Sequence, residues 1–152
     1  MSEQIRLQLD GVSTALDVSP EMSLLRALRD GGFTATTGAC EQGECGSCTV
    51  RLNGRFVCSC LVPALICDGS DVATVRSMLR PDMAAALVAH GAVQCGFCTP
   101  GFVVEAERLL AAPERLTLDE VREGLAGNLC RCTGYDGLLS AILDVDESRR
   151  GS

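Results

Sequence analysis

Apolar and polar residues alternate in the first part of the chain. The alternation covers residues 5–9 and resumes over residues 16–18, and an Asp10-Gly11 pair, which favours a tight hairpin turn, lies between the two stretches. A period of two residues puts the apolar side chains on one face of a strand. The pattern therefore predicts two paired β-strands.

The apolar spacing changes to that of a helix over residues 21–30, EMSLLRALRD, and two glycines follow. Residues 49–60, TVRLNGRFVCSC, form a second hairpin pattern that turns at an Asn-Gly pair, and residues 71–75 fit one more short strand. Two hairpins around one helix predict a small β-grasp unit.

In the second part of the chain, start and stop signals of helices replace the period of two. We predict four helices: residues 82–90 ending at Gly91, a helix that Thr99 and Pro100 begin and that reaches about residue 111, one that a capping box of Thr117 and Glu120 begins, and residues 137–148. The expected fold class is α+β, with a β-grasp domain over residues 1–76 and an all-α, four-helix-bundle domain over residues 77–152.

The chain has 152 residues, 47% of them hydrophobic and 3% aromatic, so it can bury one moderate core or two small ones. Its net charge of −7 argues against a nucleic-acid surface, because no basic patch offsets the acidic excess. The N-terminal residues lack a basic segment followed by an apolar one, and no run approaches the roughly 18 apolar residues that span a membrane. These features predict a cytoplasmic protein.

Ten cysteines are far above background, and in a reducing compartment they indicate metal binding rather than disulfides. Three of them, Cys40, Cys45 and Cys48, lie in the stretch CEQGECGSC. Followed by a distant fourth cysteine, this spacing is that of plant-type 2Fe-2S sites. Gly43 and Gly46 let the loop wrap a cluster closely, because glycine tolerates positive φ.

The fourth ligand of this site stays open between Cys58 and Cys60. Both lie on a predicted strand two positions apart, so both side chains point to the same face, and periodicity does not choose between them. We expect Cys67, and whichever of the two is left over, to be a small buried hydrophobic residue. A structural zinc site is the alternative for the loop, but such sites usually have two short cysteine pairs.

A second group joins Cys95-x2-Cys98 to Cys130-x-Cys132, all at predicted helix ends. Four such thiols can hold zinc or a second 2Fe-2S cluster, and their spacing alone leaves both open. Arg131 lies between two of these cysteines. It either offsets the negative charge of a cluster or is a solvated or partner-bound charge at a helix end.

QCGFCTPG at residues 94–101 and GNLCRCTGY at residues 127–135, following CEQGECGSCTV and SCL, resemble the iron-sulfur subunit of the molybdenum hydroxylases, the xanthine dehydrogenase family. The resemblance covers nearly the whole chain, with four motifs in the family's order. A chain of this length is similar to the separate small subunit of bacterial three-subunit members. Residues 74–78, TVRSM, depart from the TVEGL that relatives often have, which leaves open how the interdomain linker meets partner subunits.

The resemblance implies a plant-type ferredoxin-like first domain and a second 2Fe-2S cluster in the helical domain. The Ser-Cys-Leu motif selects Cys60 as the fourth ligand of the first cluster. Gln94 matches the glutamine that hydrogen-bonds the pterin of a partner subunit, and Cys95 matches the ligand closest to that pterin. The implied ligands of the second cluster are Cys95, Cys98, Cys130 and Cys132.

The same resemblance implies an electron-transfer subunit with no substrate chemistry of its own. Electrons would pass from a molybdopterin, expected as the cytosine dinucleotide, in a large subunit to FAD in a medium subunit. The three chains would form a heterotrimer, single or dimerised, with no nucleic acid and no membrane span. The substrate stays open among N-heterocycles, aldehydes, similar small molecules and CO. A free-standing two-cluster ferredoxin and a zinc-stabilised interaction module are the alternative classes.

Overall fold

The computed structural model of the protein describes residues 3–151. Its strands are β1 (Glu3–Leu9), β2 (Val12–Val18), β3 (Thr49–Leu52), β4 (Arg55–Cys58) and β5 (Asp71–Ala73). They form one five-stranded sheet in the order β2-β1-β5-β3-β4. The sheet is mixed, because β1 and β5 are parallel and the other neighbouring strands are antiparallel.

Both predicted hairpins are present. Their turns fall at Asp10-Gly11 and Asn53-Gly54, and all four of these residues have positive φ. Two central residues with positive φ give a turn whose twist matches that of the flanking strands. Helix α1 (Leu24–Asp30) follows the first hairpin and buries Leu24 and Leu28 against the sheet. The β-grasp prediction for this part of the chain is confirmed.

The strand predicted to reach Cys60 is too long. β4 ends at Cys58, and Ser59–Leu61 forms a short 3-10 helix. Ser59 lies between the two cysteines, and its N–H and hydroxyl both donate to the carbonyl oxygen of Cys48, at 3.2 and 2.7 Å. The chain passes into this 3-10 helix after Cys58, so Cys58 and Cys60 do not share a strand face.

The remainder of the described chain is helical. Its helices are α2 (Val75–Met78), α3 (Pro81–Ala89), α4 (Thr99–Leu110), α5 (Leu118–Gly124) and α6 (Asp136–Arg150). The last four are the predicted bundle, and the capping box that begins α5 is present. Cys98 rather than Thr99 caps α4. The single turn α2 is not among the predicted helices, because it is too short to produce a helical period.

The buried apolar side chains form two separate clusters. One lies in the β-grasp unit and includes Leu7 and Val50, and the other lies within the helical bundle and includes Phe102, Leu138 and Ile142. Each unit therefore has its own core, as the α+β fold class requires. The division of the chain between residues 76 and 77 stays a prediction.

The linker between the two units is fixed by Asp10 in the first hairpin turn. Its carboxylate accepts hydrogen bonds from the N–H and hydroxyl of Thr74, both at 2.7 Å, and from the hydroxyl of Ser77 at 2.6 Å. Thr74 in turn caps α2 by accepting a hydrogen bond from the N–H of Arg76. Ser77, part of the departure from the family's linker sequence, therefore contributes to the junction.

The longest helix within residues 3–151 is α6, with 15 residues. A helix that crosses a membrane needs about 20 predominantly apolar residues. No helix in this part of the chain has the required length and apolar character. The cytoplasmic location expected from the sequence stays a prediction.

Candidate metal centres

The first group of cysteines lies around the loop between α1 and β3. Cys40 is partly exposed in this loop, and Cys48 is buried at its end. The N–H groups of Gln42, Cys45 and Glu44 donate to the Cys40 sulfur and lower the pKa of Cys40 to about 6. The loop therefore stabilises a thiolate, which is the form of cysteine that binds iron.

Gly43 and Gly46 both have positive φ, +78° and +71°. A Cβ atom at Gly43 would lie 2.3 Å from a methyl carbon of Leu61, and one at Gly46 would lie 2.5 Å from the carbonyl oxygen of Gly127. Any other residue would be strained at these positions and would also collide with its neighbours. The positive φ expected of both glycines is present, and their contact with a cluster stays a prediction.

Cys58 and Cys60 meet the same loop residue in opposite ways. The Cys60 sulfur accepts a hydrogen bond from the N–H of Gly43, whereas the Cys58 thiol donates to the Gly43 carbonyl oxygen at 3.9 Å. An N–H donor stabilises a thiolate, and a carbonyl oxygen destabilises one. The N–H of Gly43 therefore acts to lower the pKa of Cys60, against the larger rise that burial causes.

The thiols of this group also influence one another. Burial raises the pKa of Cys60 to about 12, and the neighbouring Cys48 contributes to the rise. Burial likewise raises the pKa of Cys58, with smaller contributions from Cys48, Cys45 and Cys40. Thiolates this close repel one another in the absence of a cation, and iron would supply the charge that lets them ionise together.

The two extra cysteines of the first unit have different surroundings. Cys67 is fully buried in the β-grasp core and donates weakly to the carbonyl oxygen of Pro63 at 3.7 Å. It is the small buried residue that the sequence predicts. Cys58 is only partly buried and lies among the thiols of the first group. The prediction that the cysteine left over would be a buried hydrophobic residue therefore does not describe Cys58.

The second group lies between the α3–α4 turn and the α5–α6 loop. Cys95 and Cys132 are exposed, and their sulfur atoms are 3.6 Å apart. Cys98 and Cys130 lie deeper in the protein. Of the four, only Cys98 caps a helix. The other three lie in the loops, and Gly96, with φ +80°, turns the chain between Cys95 and the start of α4.

Burial raises the pKa of Cys98 to about 12, and Cys130 adds to the shift. Burial also acts to raise the pKa of Cys130, but hydrogen bonds from the Thr133 hydroxyl, at 3.1 Å, and from the N–H groups of Thr133 and Cys132 lower it to about 7. Each group of thiols therefore contains one cysteine whose thiolate is stabilised by local donors.

Tyr135 fixes the loop that carries Cys130. It has a positive φ of 71°, which is uncommon for a residue with a side chain. Its hydroxyl oxygen accepts a hydrogen bond from the N–H of Cys130 at 2.9 Å, and its ring meets the edge of Phe102 at a centroid distance of 6.0 Å. Tyr135 therefore holds the loop in two ways: by the hydrogen bond to the Cys130 backbone and by the ring contact with Phe102 in the bundle core.

The two groups of cysteines lie on loops that contact each other directly. The N–H of Leu129 donates to the carbonyl oxygen of Cys45 at 2.9 Å. The Asn128 side chain donates to the carbonyl oxygen of Gly46 at 3.3 Å. Because Leu129 directly precedes Cys130, a single hydrogen bond joins the backbone of one cysteine group to that of the other.

Thr37 and Gly101 make further contacts between these loops. The Thr37 hydroxyl donates to the carbonyl oxygen of Phe97 at 2.9 Å. A Cβ atom at Gly101 would lie 2.1 Å from the carbonyl oxygen of Gly46, so only glycine fits there. Sequence reasoning missed Thr37, Gly101 and Asn128. A glycine in the first turn of a helix is the one local signal, because it often marks a close approach of another backbone.

A cavity of about 610 Å³ lies where the loops meet. All four cysteines of the second group line it, together with Cys45, Phe97, Leu129 and Arg131. Gln94, next to the exposed Cys95, is itself exposed at the surface. The second group is therefore accessible from outside the chain on the side where Gln94 lies.

Within residues 3–151, no three His, Cys, Asp or Glu side chains converge where one metal ion could bind. A single zinc ion needs four ligands around one point. A 2Fe-2S cluster instead distributes four thiolates over two irons, so only two thiolates meet at each iron. The sulfur atoms of Cys95 and Cys132, 3.6 Å apart, and the N–H donors around Cys40 fit such a binuclear cluster.

Two protein families match the chain. The 2Fe-2S iron-sulfur cluster binding domain matches residues 7–73, and the 2Fe-2S binding domain matches residues 72–143. The match to the first covers the β-grasp unit, and the match to the second covers most of the helical unit. The fold and the two cysteine groups thus define a protein that carries 2Fe-2S clusters.

The chain is 37% identical to the xanthine dehydrogenase iron-sulfur-binding subunit of Escherichia coli O157:H7, over 97% of this chain and 98% of that one. It is 40% identical to the nicotine 6-hydroxylase small subunit of Paenarthrobacter nicotinovorans, over 93% and 88%. Among solved structures, quinoline 2-oxidoreductase from Pseudomonas putida 86 aligns with a TM-score of 0.91 at 40% identity, covering 99% of this chain and 98% of that one. The protein belongs to the iron-sulfur subunits of the molybdenum hydroxylases, the xanthine dehydrogenase and aldehyde oxidoreductase family.

Proposed function

We propose that this chain relays single electrons between two partner subunits of a molybdenum hydroxylase. The observation that carries the proposal is the hydrogen bond from the Leu129 N–H to the Cys45 carbonyl oxygen, at 2.9 Å. It joins the two cysteine groups directly. 2Fe-2S clusters, when bound, supply one-electron carriers whose potentials depend on charge, hydrogen bonds to sulfur and solvent exposure.

The protein's own residues hold and tune these carriers. For the first cluster we propose Cys40, Cys45, Cys48 and Cys60 as ligands, and for the second Cys95, Cys98, Cys130 and Cys132. The N–H donors around Cys40 and the Thr133 hydroxyl beside Cys130 stabilise negative charge on sulfur. Such donors favour the more negative, reduced state of a cluster, so they raise its reduction potential.

The proposed direction of transfer is from the helical unit to the β-grasp unit. Cys95 and Gln94 are exposed at the second group, which supports the arrival of electrons there from a molybdopterin-binding large subunit. Glu41, Gln42 and Glu44 are exposed at the first loop, which supports an exit there toward an FAD-binding medium subunit. The relatives are subunits of a xanthine dehydrogenase and of a nicotine 6-hydroxylase. Small heterocycles are accordingly our first candidates for the substrate.

The first test is the cofactor content of the chain isolated from its source without oxygen and under mild salt. We expect about four irons and four acid-labile sulfides per chain, because each 2Fe-2S cluster contains two of each. We also expect molybdenum and flavin to co-purify on larger chains. Reduced samples should give two distinct electron paramagnetic resonance signals.

The two parts of the proposal fail in different ways. Stoichiometric zinc in place of iron would contradict the cluster assignment itself. Two clusters in a chain that is recovered alone, active as an electron carrier and free of molybdenum and flavin, would retain the clusters but contradict the subunit role. That second result would make the chain a free-standing ferredoxin.

Replacing Gln94 with alanine tests the proposed contact through which electrons arrive. We expect the spectra of both clusters to stay almost unchanged, because Gln94 is exposed and is not a ligand. In the assembled enzyme, the rate at which substrate reduces the second cluster should fall about 10-fold, which corresponds to the loss of one hydrogen bond of about 1.4 kcal/mol.

Gln42→Ala is the matched control, because Gln42 is also exposed but lies at the first cysteine group. It should leave the reduction rate of the second cluster unchanged. Equal rates in wild-type enzyme and Gln94→Ala would remove Gln94 from the proposed contact with the partner subunit.

A further inference from the structure

The first cysteine group contains one thiol more than a 2Fe-2S cluster needs. Cys40, Cys45, Cys48 and Cys60 make up the proposed ligand set, and Cys58 is a fifth thiol that the proposed function does not use. Burial first, and then the charges of three of these ligands, raise the pKa of Cys58, so it lies within their electrostatic range. The proposed function does not explain why a fifth thiol lies beside the four ligands.

Ser59, which lies between Cys58 and Cys60, is bound to the backbone of Cys48. Its N–H and hydroxyl both bind the carbonyl oxygen of Cys48, at 3.2 and 2.7 Å. These bonds hold Ser59 against Cys48, a proposed ligand, and so keep both flanking cysteines near it. In the sheet register, Cys58 is also paired with Thr49, the residue that follows Cys48.

Both sulfur atoms also meet Gly43. Cys60 accepts from its N–H, and Cys58 lies 3.9 Å from its carbonyl oxygen. Cys48 contributes to the raised pKa of both Cys58 and Cys60, so both thiols also lie near the same ligand sulfur.

We propose that Cys58 is a reserve ligand of the first cluster, able to replace Cys60 when the bond to Cys60 is lost. The inference rests on the proposed function, because it requires the first cysteine group to hold a cluster. The Gly43 N–H donates to the Cys60 sulfur, whereas the Cys58 thiol meets the Gly43 carbonyl oxygen at 3.9 Å. In this proposal Cys60 is the resident ligand, and Cys58 is the neighbouring thiol that can take its place.

A reserve ligand would be useful at the first cysteine group because this group lies near solvent. Glu41, Gln42 and Glu44 are exposed, and Cys40 is only partly buried, so solvent reaches the loop that would cover the cluster. An exposed thiolate is more susceptible to oxidation than a buried one. A second thiol beside Cys60 would hold the cluster in place if that bond opened.

The test uses the full chain, purified without oxygen, in four variants. Cys58→Ala should retain about four irons per chain, and Cys60→Ala should also retain about four, with an altered circular dichroism spectrum of the first cluster because the new ligand approaches from another direction. Cys58→Ala/Cys60→Ala should fall to about two irons, with only the second cluster's signal remaining. The matched control, Cys60→Ala/Cys67→Ala, should behave like Cys60→Ala, because Cys67 lies in the core.

The second cluster, whose proposed ligands begin at Cys95, serves in each variant as an internal reporter of folding. A fall to about two irons in Cys60→Ala with the second signal intact would overturn the proposal, and so would loss of both signals, because Cys58 would then have failed to hold the site. A fall in Cys58→Ala alone would overturn it as well, since Cys58 would be the resident ligand. Absence of iron from the wild-type chain would instead contradict the proposed function.

Discussion

Replacing Gly101 with alanine should lower the stability of the protein by about 1–3 kcal/mol, the typical range for overpacked interiors. The added Cβ atom would lie 2.1 Å from the carbonyl oxygen of Gly46 and 2.9 Å from its carbonyl carbon. These are backbone atoms, which cannot move aside as a flexible side chain can. The loop that carries the first cysteine group would have to move away from α4.

The same displacement should affect electron transfer between the two groups. Gly46 is held by Asn128, and Cys45 is held by Leu129, so moving this loop stretches both hydrogen bonds between the units. We expect the second cluster to reduce the first more slowly in Gly101→Ala, while the ligands of both clusters remain in place. Stopped-flow reduction, followed at wavelengths that separate the two clusters, would measure this rate.

Gly127→Ala is the control for Gly101→Ala. Gly127 lies in the same contact region, but a Cβ atom there would meet no heavy atom within 4 Å. Alanine also has the higher helix propensity, by about 1 kcal/mol, so without the close contact Gly101→Ala would stabilise α4. A melting temperature for Gly101→Ala equal to or above that of Gly127→Ala would therefore contradict the packing account.

The local elements were predictable because their signals are local. The two hairpins follow from Asp10-Gly11 and Asn53-Gly54, whose positive φ angles the sequence pattern anticipates. The capping box of Thr117 and Glu120 likewise marks the start of α5 within four residues. The spacing Cys40-x4-Cys45-x2-Cys48 indicates the kind of metal site by itself, because three of the thiols lie within one short loop.

The contacts that join the two units were not predictable in this way. Asn128 and Gly46 are separated by 82 residues, and no feature near either one indicates the other. The end of β4 was misjudged for a related reason. The bonds from Ser59 to the Cys48 carbonyl oxygen cross between strands, and alternation within one strand does not report them. Only the resemblance to the family selected Cys60.

Replacing Arg149 with methionine should have the second large effect, on the helical unit. The Arg149 guanidinium binds Asp82 at 2.6 and 3.1 Å and Glu107 at 2.8 and 2.9 Å, so it joins α6 to both α3 and α4. Its side chain is only 19% exposed. Hydrogen bonds from Arg149 lower the pKa of Asp82 to about 2, which keeps this carboxylate charged at neutral pH.

Methionine retains much of the packing volume but leaves two carboxylates facing each other without a cation. Breaking a buried ion pair from one side costs about 3–5 kcal/mol, and we expect about 2–4 kcal/mol here because the Asp82 side chain is 37% exposed. For a chain of this size, that corresponds to a fall in melting temperature of roughly 5–15 °C. Because Cys98 caps α4, loss of the second cluster should accompany the unfolding.

Arg115→Met is the matched control for Arg149→Met. Arg115 pairs with Glu147 at 2.9 Å, but both side chains are about two-thirds exposed, at 66% and 68%. Exposed pairs contribute about 0–1 kcal/mol, so its melting temperature should stay close to that of the wild-type protein. Thermal unfolding without oxygen, followed by far-ultraviolet circular dichroism and by cluster absorbance, would compare the two variants. If both variants melted together, Arg149 would be no more than another surface charge, and packing alone would hold α6 against α3 and α4.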